Sequence, residues 1–256
     1  MLAISILLIL FSFALFARYA NHIDVVLAGW TGQSRFKHSH HQVLERYFAY
    51  YQKLPLRKKQ EFERRVANFV NSKEFISRGG LEITPMVETL VAACAVQLTF
   101  GLREIRFEHF DKIILYPTNF YSRSNDQIHK GEVNPRFGVI ALSWKSFLEG
   151  YLDPSDAYNL GLHEMAHALK LENRIPNEEY QFLQASILKE IDDRYFENSE
   201  DLALGKPTLL RAYAGVNKEE FFAVAVENFF ERPQEMKQHL PRLYANMSQL
   251  LGQETA

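Results

Sequence analysis

His163-Glu164-Met165-Ala166-His167 lies within a predicted helix of residues 155–171. Because residues four apart share one face of a helix, His163 and His167 can present imidazole nitrogens to a single metal ion. Glu164 is rotated by one position, which keeps its carboxylate out of direct coordination and beside an attacking water, where a general base is needed. The segment therefore predicts a zinc-dependent hydrolytic site.

Chance is the competing explanation for this H-E-x-x-H pattern. A chain of this composition and length is expected to contain about 0.03 such patterns. The same helix carries apolar residues such as Leu162, Met165 and Leu169. We therefore expect it to be largely buried, where two histidines and a glutamate without partners would be costly. Both observations favour a metal site over coincidence.

The composition describes a globular chain with no pronounced charge. It has 256 residues, of which 47% are hydrophobic, and this is enough for one domain with a sizeable core. Its 29 basic and 31 acidic residues give a net charge of -2. Direct nucleic-acid binding is not expected. The single cysteine, Cys94, excludes an intrachain disulfide and a thiolate zinc cluster.

The first 17 residues contain no charged side chain and are rich in Ile, Leu and Phe. Since a bilayer needs about 20 apolar residues, we expect residues 1–20 to form a single transmembrane anchor helix. A cleaved signal peptide is the alternative, but the segment lacks a positively charged start, and residues 12–14 resemble a cleavage site only weakly. The positive charges follow the segment, beginning at Arg18, which favours a cytoplasmic catalytic domain.

Residues 21–42 predict a juxtamembrane linker, and residues 43–252 predict the metallopeptidase domain. The linker contains His38, His40 and His41. We interpret this histidine cluster as solvated surface, because no carboxylate or cysteine lies near it in the sequence.

The remaining pattern predicts an α+β fold that is mostly helical, with a small mixed or antiparallel sheet. Thr84 followed by Pro85 predicts the start of a buried central helix that runs to Phe100. Apolar runs at residues 110–116 and 137–143 predict strands. With the active-site helix, these elements predict a zincin-like domain. Further helices are predicted at residues 43–52, 56–69, 177–193 and 217–230 and after Pro233.

A catalytic zinc ion needs three protein ligands, so one more must come from elsewhere in the chain. No H-x-x-G-x-x-H extension follows His167, which excludes the metzincin pattern. Glu220 and Glu227 lie seven residues apart on an apolar helix, where buried carboxylates need a metal or a partner. Glu220 could instead form a capping box with Asn217. Spacing leaves the third ligand open among Glu178, Glu179, Glu190, Glu197, Glu219, Glu220 and Glu227.

Several segments extend the similarity beyond one motif. They read IILYP at 113–117, GVIALSW at 138–144, and EFFAV and ENFF within 220–230. With the H-E-x-x-H segment they resemble the Mlc titration factor A family of zinc-dependent peptidases, whose catalytic domain is similar to that of anthrax lethal factor. The resemblance implies one Zn²⁺ ion, Glu220 as its third, gluzincin-type ligand, and Tyr213 facing the metal.

The resemblance also frames the roles of neighbouring residues. As a neutral donor, Tyr213 is suited to stabilise an oxyanion, although a packed core tyrosine is its alternative role. Glu227 is interpreted as the acceptor for the free N–H of a zinc-bound histidine. The chain departs from the family at residues 168–170, which read Ala-Leu-Lys where Lys-Leu-Asp is typical. The N-terminal hydrophobic segment is a second departure.

Three functions stay open on the sequence. The first is a zinc-dependent peptidase whose peptide or protein substrate pairs with the strand of residues 137–143 as an added edge. The second is a regulatory protein that binds and sequesters a protein partner, such as the transcriptional repressor bound by the soluble family prototype. The third is a zinc hydrolase that acts on a non-peptide amide.

Overall fold

The computed structural model describes residues 38–122, 126–204 and 208–256. The predicted anchor of residues 1–20 and the linker residues before 38 lie outside these ranges. Within the ranges, no helix is both long enough and apolar enough to cross a bilayer.

The described elements are mostly helices around a small sheet, which confirms the predicted α+β class. They follow the chain in this order: α1 (His38–Tyr47), α2 (Ala49–Gln52), α3 (Leu56–Ser72), β1 (Glu74–Ser77), α4 (Pro85–Thr99), β2 (Lys112–Tyr116), β3 (Phe120–Ser122), β4 (Gln127–His129), β5 (Gly131–Asn134), β6 (Val139–Ser143), α5 (Trp144–Leu152), α6 (Leu160–Arg174), α7 (Ala185–Ala203), a 3-10 helix (Ala212–Gly215), α8 (Lys218–Glu231), α9 (Pro233–His239) and α10 (Pro241–Leu251).

Helix α1 begins at His38, inside the residues predicted as a linker. His40 is only 7% exposed, and its Nδ1 lies 2.6 Å from Thr89 Oγ1 on the central helix. The solvated-surface interpretation is therefore wrong for His40. The neighbouring His41 places Nδ1 2.8 Å from Glu63 Oε1 on α3. Both contacts join α1 to the domain.

The sheet is mixed, with the strand order β1-β2-β6-β5. Strands β1, β2 and β6 are parallel, and β5 runs antiparallel to β6. Strand β6 thus has a neighbour on each side, and the predicted role of residues 137–143 as a peptide-binding edge is wrong. Strand β5 ends the described sheet instead. A separate antiparallel hairpin pairs β3 with β4.

The central helix α4 confirms the prediction made from Thr84 and Pro85. Thr84 Oγ1 accepts from the amide of Val87 at 3.4 Å, and Pro85 occupies the first turn. Helix α6 packs closely on α4 at Gly161, where an added Cβ would lie 2.9 Å from Cys94 Sγ and 2.7 Å from a ring carbon of Phe147. This close approach fixes the depth of the helix that carries the histidines.

Two predicted helices are displaced by local side-chain turns. Helix α6 begins at Leu160 rather than at residue 155, because Asp153 and Asp156 accept from backbone amides two residues ahead. Asn159 then caps α6 by accepting from the Leu162 amide at 3.0 Å. The helix predicted at residues 177–193 is observed as α7, eight residues later, because Asn177 caps a turn, accepting from Glu179 N at 2.8 Å.

Candidate metal centre and active-site cleft

Three side chains from two packed helices converge at one point. His163 and His167 lie one turn apart on α6, with their Nε2 atoms 3.1 Å apart. Glu220, in the first turn of α8, places Oε2 3.0 Å from His163 Nε2 and 3.4 Å from His167 Nε2. In the part of the chain that the structure describes, this is the one group of three such side chains positioned to share a metal ion.

The geometry of this group fits zinc. Tetrahedral ligands at 2.0–2.1 Å from a zinc ion lie roughly 3.3 Å from one another. The three observed separations, 3.0 to 3.4 Å, are close to that value. Two imidazoles and one carboxylate are also a donor set that catalytic zinc sites use. His163, His167 and Glu220 therefore suit a zinc ion with an open fourth position.

The electrostatics of the group favour positive charge between these side chains. Burial opposes ionisation of Glu220, yet its contacts with His163 and His167 lower its pKa to about 2. Burial likewise opposes protonation of His163, but Glu220 and Glu227 raise the pKa of His163 to about 9. The ionised carboxylates therefore favour a bound cation, either a proton or a metal ion, at this group.

Glu164 lies against the edge strand β5 beside the metal group. It is 7% exposed, and burial raises the pKa of its carboxyl while the two histidines oppose that shift. Gly131 on β5 makes room for it, since a Cβ there would lie only 2.4 Å from Glu164 Oε1. Gly131 escaped the sequence analysis, because no local pattern links it to a residue 33 positions later.

Tyr213 lies in the 3-10 helix that precedes α8, at the mouth of the site. Its side chain is about half exposed, and its ring centroid is 5.9 Å from that of His163. Partial burial, followed by the carboxylates of Glu220 and Glu164, raises the pKa of the Tyr213 phenol. The hydroxyl thus stays protonated and able to donate near neutral pH.

Glu227 lies behind His163, on the side away from Glu220. It is 1% exposed, and its Oε1 is 2.5 Å from His163 Nδ1. Both terminal nitrogens of Arg211 donate to the same carboxylate, with Nη2 at 2.9 Å from Oε1. Arg211 is a neighbour that the sequence analysis missed. A buried Glu227 signals the need for a cation, but nothing in the spacing selects Arg211.

The alternative role of Glu220 as one arm of a capping box is not what its side chain does. Asn217 Oδ1 accepts from the amides of Glu219 and Glu220, each at 2.9 Å, while the Glu220 carboxylate turns to the histidines. Glu219 instead binds Lys170. The Lys170 side chain is 3% exposed, and its Nζ lies 2.8 Å from Glu219 Oε2. The departure at residues 168–170 therefore ties α6 to the start of α8.

The metal group lies between two clefts. The larger, about 500 Å³, is lined by His163 and Glu164 together with Ile128, Gly131, Tyr158, Arg211 and Tyr213. The smaller, about 290 Å³, is lined by His167 and Glu220 with Val133, Leu171, Arg174 and Glu219. Strand β5 contributes Gly131 to one and Val133 to the other. A still larger cleft, about 680 Å³, lies between α7 and α10 and contains none of the ligand side chains.

Comparison with known proteins identifies the group to which this site belongs. The family described as glucose-regulated metallo-peptidase M90 matches residues 27–251. An uncharacterized protein of Synechocystis sp. is 28% identical over 214 residues, which cover 76% of each chain. Mlc titration factor A of Klebsiella pneumoniae is 23% identical over 73% of this chain and 76% of its own length. Mlc titration factor A of Yersinia pestis is 22% identical over 73% and 75%.

Proposed function

This chain belongs to the glucose-regulated metallo-peptidase M90 family, and on that premise we propose that it is a zinc-dependent peptidase with Glu164 as its general base. The convergence of His163, His167 and Glu220 beside Glu164 carries the proposal. When bound by these three ligands, a zinc ion would polarise the scissile carbonyl and lower the pKa of the attacking water. The family and the ligand geometry both support a hydrolytic rather than a structural metal.

Glu164 takes the proton of the attacking water and delivers it to the leaving amine. Its carboxylate is suited to this because burial raises its pKa above that of an exposed glutamate, which makes it a stronger base. Gly131 leaves room for the carboxylate at the cleft wall. Tyr213 donates a hydrogen bond to the oxyanion of the tetrahedral intermediate, from its place at the mouth of the same cleft.

Strand β5 is the segment that holds the substrate backbone in this proposal. It ends the described sheet, so its outer edge offers backbone groups to an extended peptide. Gly131 and Val133 line the clefts on either side of the metal group. A peptide paired with β5 would therefore pass over the ligands with residues in both clefts.

The decisive experiment compares Glu164→Gln with Glu220→Ala in the full chain. We expect Glu164→Gln to keep stoichiometric zinc and to lose roughly 10²- to 10⁴-fold in kcat on a peptide library, since only the base is removed. We expect Glu220→Ala to lose zinc together with activity. Full peptide cleavage by Glu164→Gln would falsify the mechanism. Stoichiometric zinc in Glu220→Ala would exclude Glu220 as the third zinc ligand.

A second function, sequestration of a regulatory protein, is supported by the name of the relatives. Mlc titration factor A is named for its action on Mlc, and this chain covers about three quarters of those relatives. Binding of a protein partner that survives unchanged in Glu164→Gln would favour this function over catalysis. If the library contains no cleaved peptide but a non-peptide amide is hydrolysed, the substrate class changes while the chemistry of the site stays.

A further inference from the structure

Arg211 supplies the charge that faces a buried carboxylate behind the metal group. Glu227 is 1% exposed and its Oε1 lies 2.5 Å from His163 Nδ1. The Arg211 guanidinium binds both oxygens of that carboxylate, one through Nη1 and the other through Nη2. An ionised carboxylate at this depth costs several kcal/mol unless a cation and hydrogen bonds compensate it. The orientation of His163 therefore depends on a pair whose positive half is Arg211.

The same guanidinium is fixed to the wall of the larger cleft. Its Nη1 donates to the carbonyl of Ala157 at 2.6 Å, and Ala157 has a left-handed backbone with φ of 60°. The guanidinium carbon lies 4.6 Å from the ring centroid of Tyr158 and 5.9 Å from that of Tyr213. Since Tyr213 follows Arg211 by two residues, one short segment carries both the cation and the phenol.

We propose that Arg211 is a positioning residue that aligns His163 with Tyr213, by clamping Glu227 on one side and stacking between Tyr158 and Tyr213 on the other. The inference rests on the proposed function, because it concerns the same site. It makes a separate claim, however, about zinc affinity and about the position of the phenol. A simple anchor between α8 and the loop at Ala157 would stabilise the fold without coupling these two groups.

The experiment is a double-variant cycle in the full chain, with Arg211→Met, Glu227→Gln and the two combined. Zinc affinity is measured by competition with a chelator, independently of activity. We expect Arg211→Met to weaken zinc binding about 10- to 100-fold, as loss of a ligand-orienting partner does. The combined variant should bind zinc more tightly than Arg211→Met alone, because neutral Gln still accepts from His163 and needs no counter-charge.

Kinetics at saturating zinc test the second half of the proposal. Displacement of the phenol should lower kcat of Arg211→Met more than it raises KM, since Tyr213 acts on the transition state. Arg211→Lys, which keeps the charge and loses the planar fork, should recover part of the zinc affinity. If Arg211→Met does not fold, Arg211→Gln, which is also uncharged, replaces it in the cycle with Glu227→Gln and gives the same comparison.

Two outcomes would overturn the role of Arg211. One is zinc affinity in Arg211→Met equal to that of the native chain. The other is a loss in the combined variant equal to the product of the two single losses, which would make the residues independent. If the variants show the expected coupling in zinc affinity but the native chain cleaves no peptide, the proposed peptidase function is overturned and the role of Arg211 in zinc binding stands. A native chain that binds no zinc overturns both.

Discussion

The two halves of helix α6 bury carboxylates in different ways. In the C-terminal half, Glu172 is fully buried, and both its oxygens accept from the amide of His109 at 3.2 Å. Nearby, Glu179 accepts from the amides of Arg106 and Glu108. These amide donors all belong to the loop at residues 106–109, and the Asn177 side chain adds a further donor to Glu172. The carboxylates hold a loop, and their hydrogen-bonding capacity is used by the chain itself.

The N-terminal half of α6 brings metal-ligating atoms together, where the C-terminal half pairs a carboxylate with amide donors. The imidazole nitrogens of His163 and His167 face each other at 3.1 Å, and the Glu220 carboxylate completes the triangle. When they are deprotonated, these three ligand atoms repel one another unless a proton or a metal cation lies between them. The comparison teaches that burial of a carboxylate does not by itself indicate a metal site. The chemistry of its partners does.

The strongest test of the difference between the two halves of α6 is His167→Ala, which should abolish metal binding at the N-terminal half. We expect loss of zinc and at least a roughly 10³-fold fall in kcat/KM, because the metal chemistry disappears. Zinc content and peptide cleavage measure the effect. Glu172→Gln is the matched control from the other half, and it should keep both. Equal zinc content in the two variants would erase the distinction.

Glu172→Ala should show the opposite profile to a ligand variant. We expect the free energy of unfolding to fall by about 3 kcal/mol, because the partly buried donors of His109 and Asn177 lose their fully buried acceptor. Zinc content should stay stoichiometric in the folded protein. Urea denaturation and metal analysis on the same sample provide the measurement. A stable variant that has lost its zinc would show that the two halves are not separate.

Gly131→Ala probes the wall against which Glu164 lies. The new Cβ would lie 2.4 Å from Glu164 Oε1, so the carboxylate must move from its place beside the metal group. We expect kcat to fall about 10- to 100-fold, which corresponds to about 1.4 to 2.7 kcal/mol, with zinc retained. Steady-state kinetics at full zinc occupancy measure the change. Unaltered kcat would mean that the position of the Glu164 carboxylate is not limiting.

Glu231 belongs neither to the carboxylates that hold the loop at residues 106–109 nor to the group with the histidines. We expect it to make the stability of the fold depend on pH. Its Oε1 accepts from Asn159 at 2.9 Å, its Oε2 is buried without a partner, and burial raises its pKa to about 8. Because the folded pKa exceeds the unfolded value of 4.5, the contribution of this group to stability is lost as pH rises from 4.5 to 8.

In Glu231→Gln that loss should be absent. Relative to the native chain, the variant should therefore gain about 1 to 2 kcal/mol of unfolding free energy between pH 5 and pH 8, since relaxation reduces the full linkage value. Paired denaturation curves at the two pH values give the difference. A pH-independent difference would show that Glu231 ionises normally in the folded protein.

The sequence predicted best what depends on local periodicity. One helical turn separates His163 from His167 in any helix, and Asn217 caps α8 as its side chain allows. Glu220 required the family resemblance, because seven glutamates were available and only packing between α6 and α8 selects one. The role predicted for Glu227 stays a prediction, although its carboxylate does reach His163 Nδ1.

Long-range packing explains what the sequence left out. The order of strands, with β5 at the edge, follows from a parallel crossover that residues 137–143 do not reveal. Arg211 contacts Ala157 across 54 residues and Glu227 across 16. Gly131 is required by a side chain 33 positions away. None of these separations leaves a repeat or a motif in the chain.

The thiol under Gly161 has a practical consequence for spectroscopy. Cys94 is the single cysteine of the chain, it is fully buried, and burial raises its pKa to about 12, so it has almost no thiolate to react with labelling reagents. A cysteine introduced at an exposed position, such as Tyr121→Cys on β3, would then be the one site to take a spin label or fluorophore. Distances from that probe to a paramagnetic ion could be measured without first removing a native thiol.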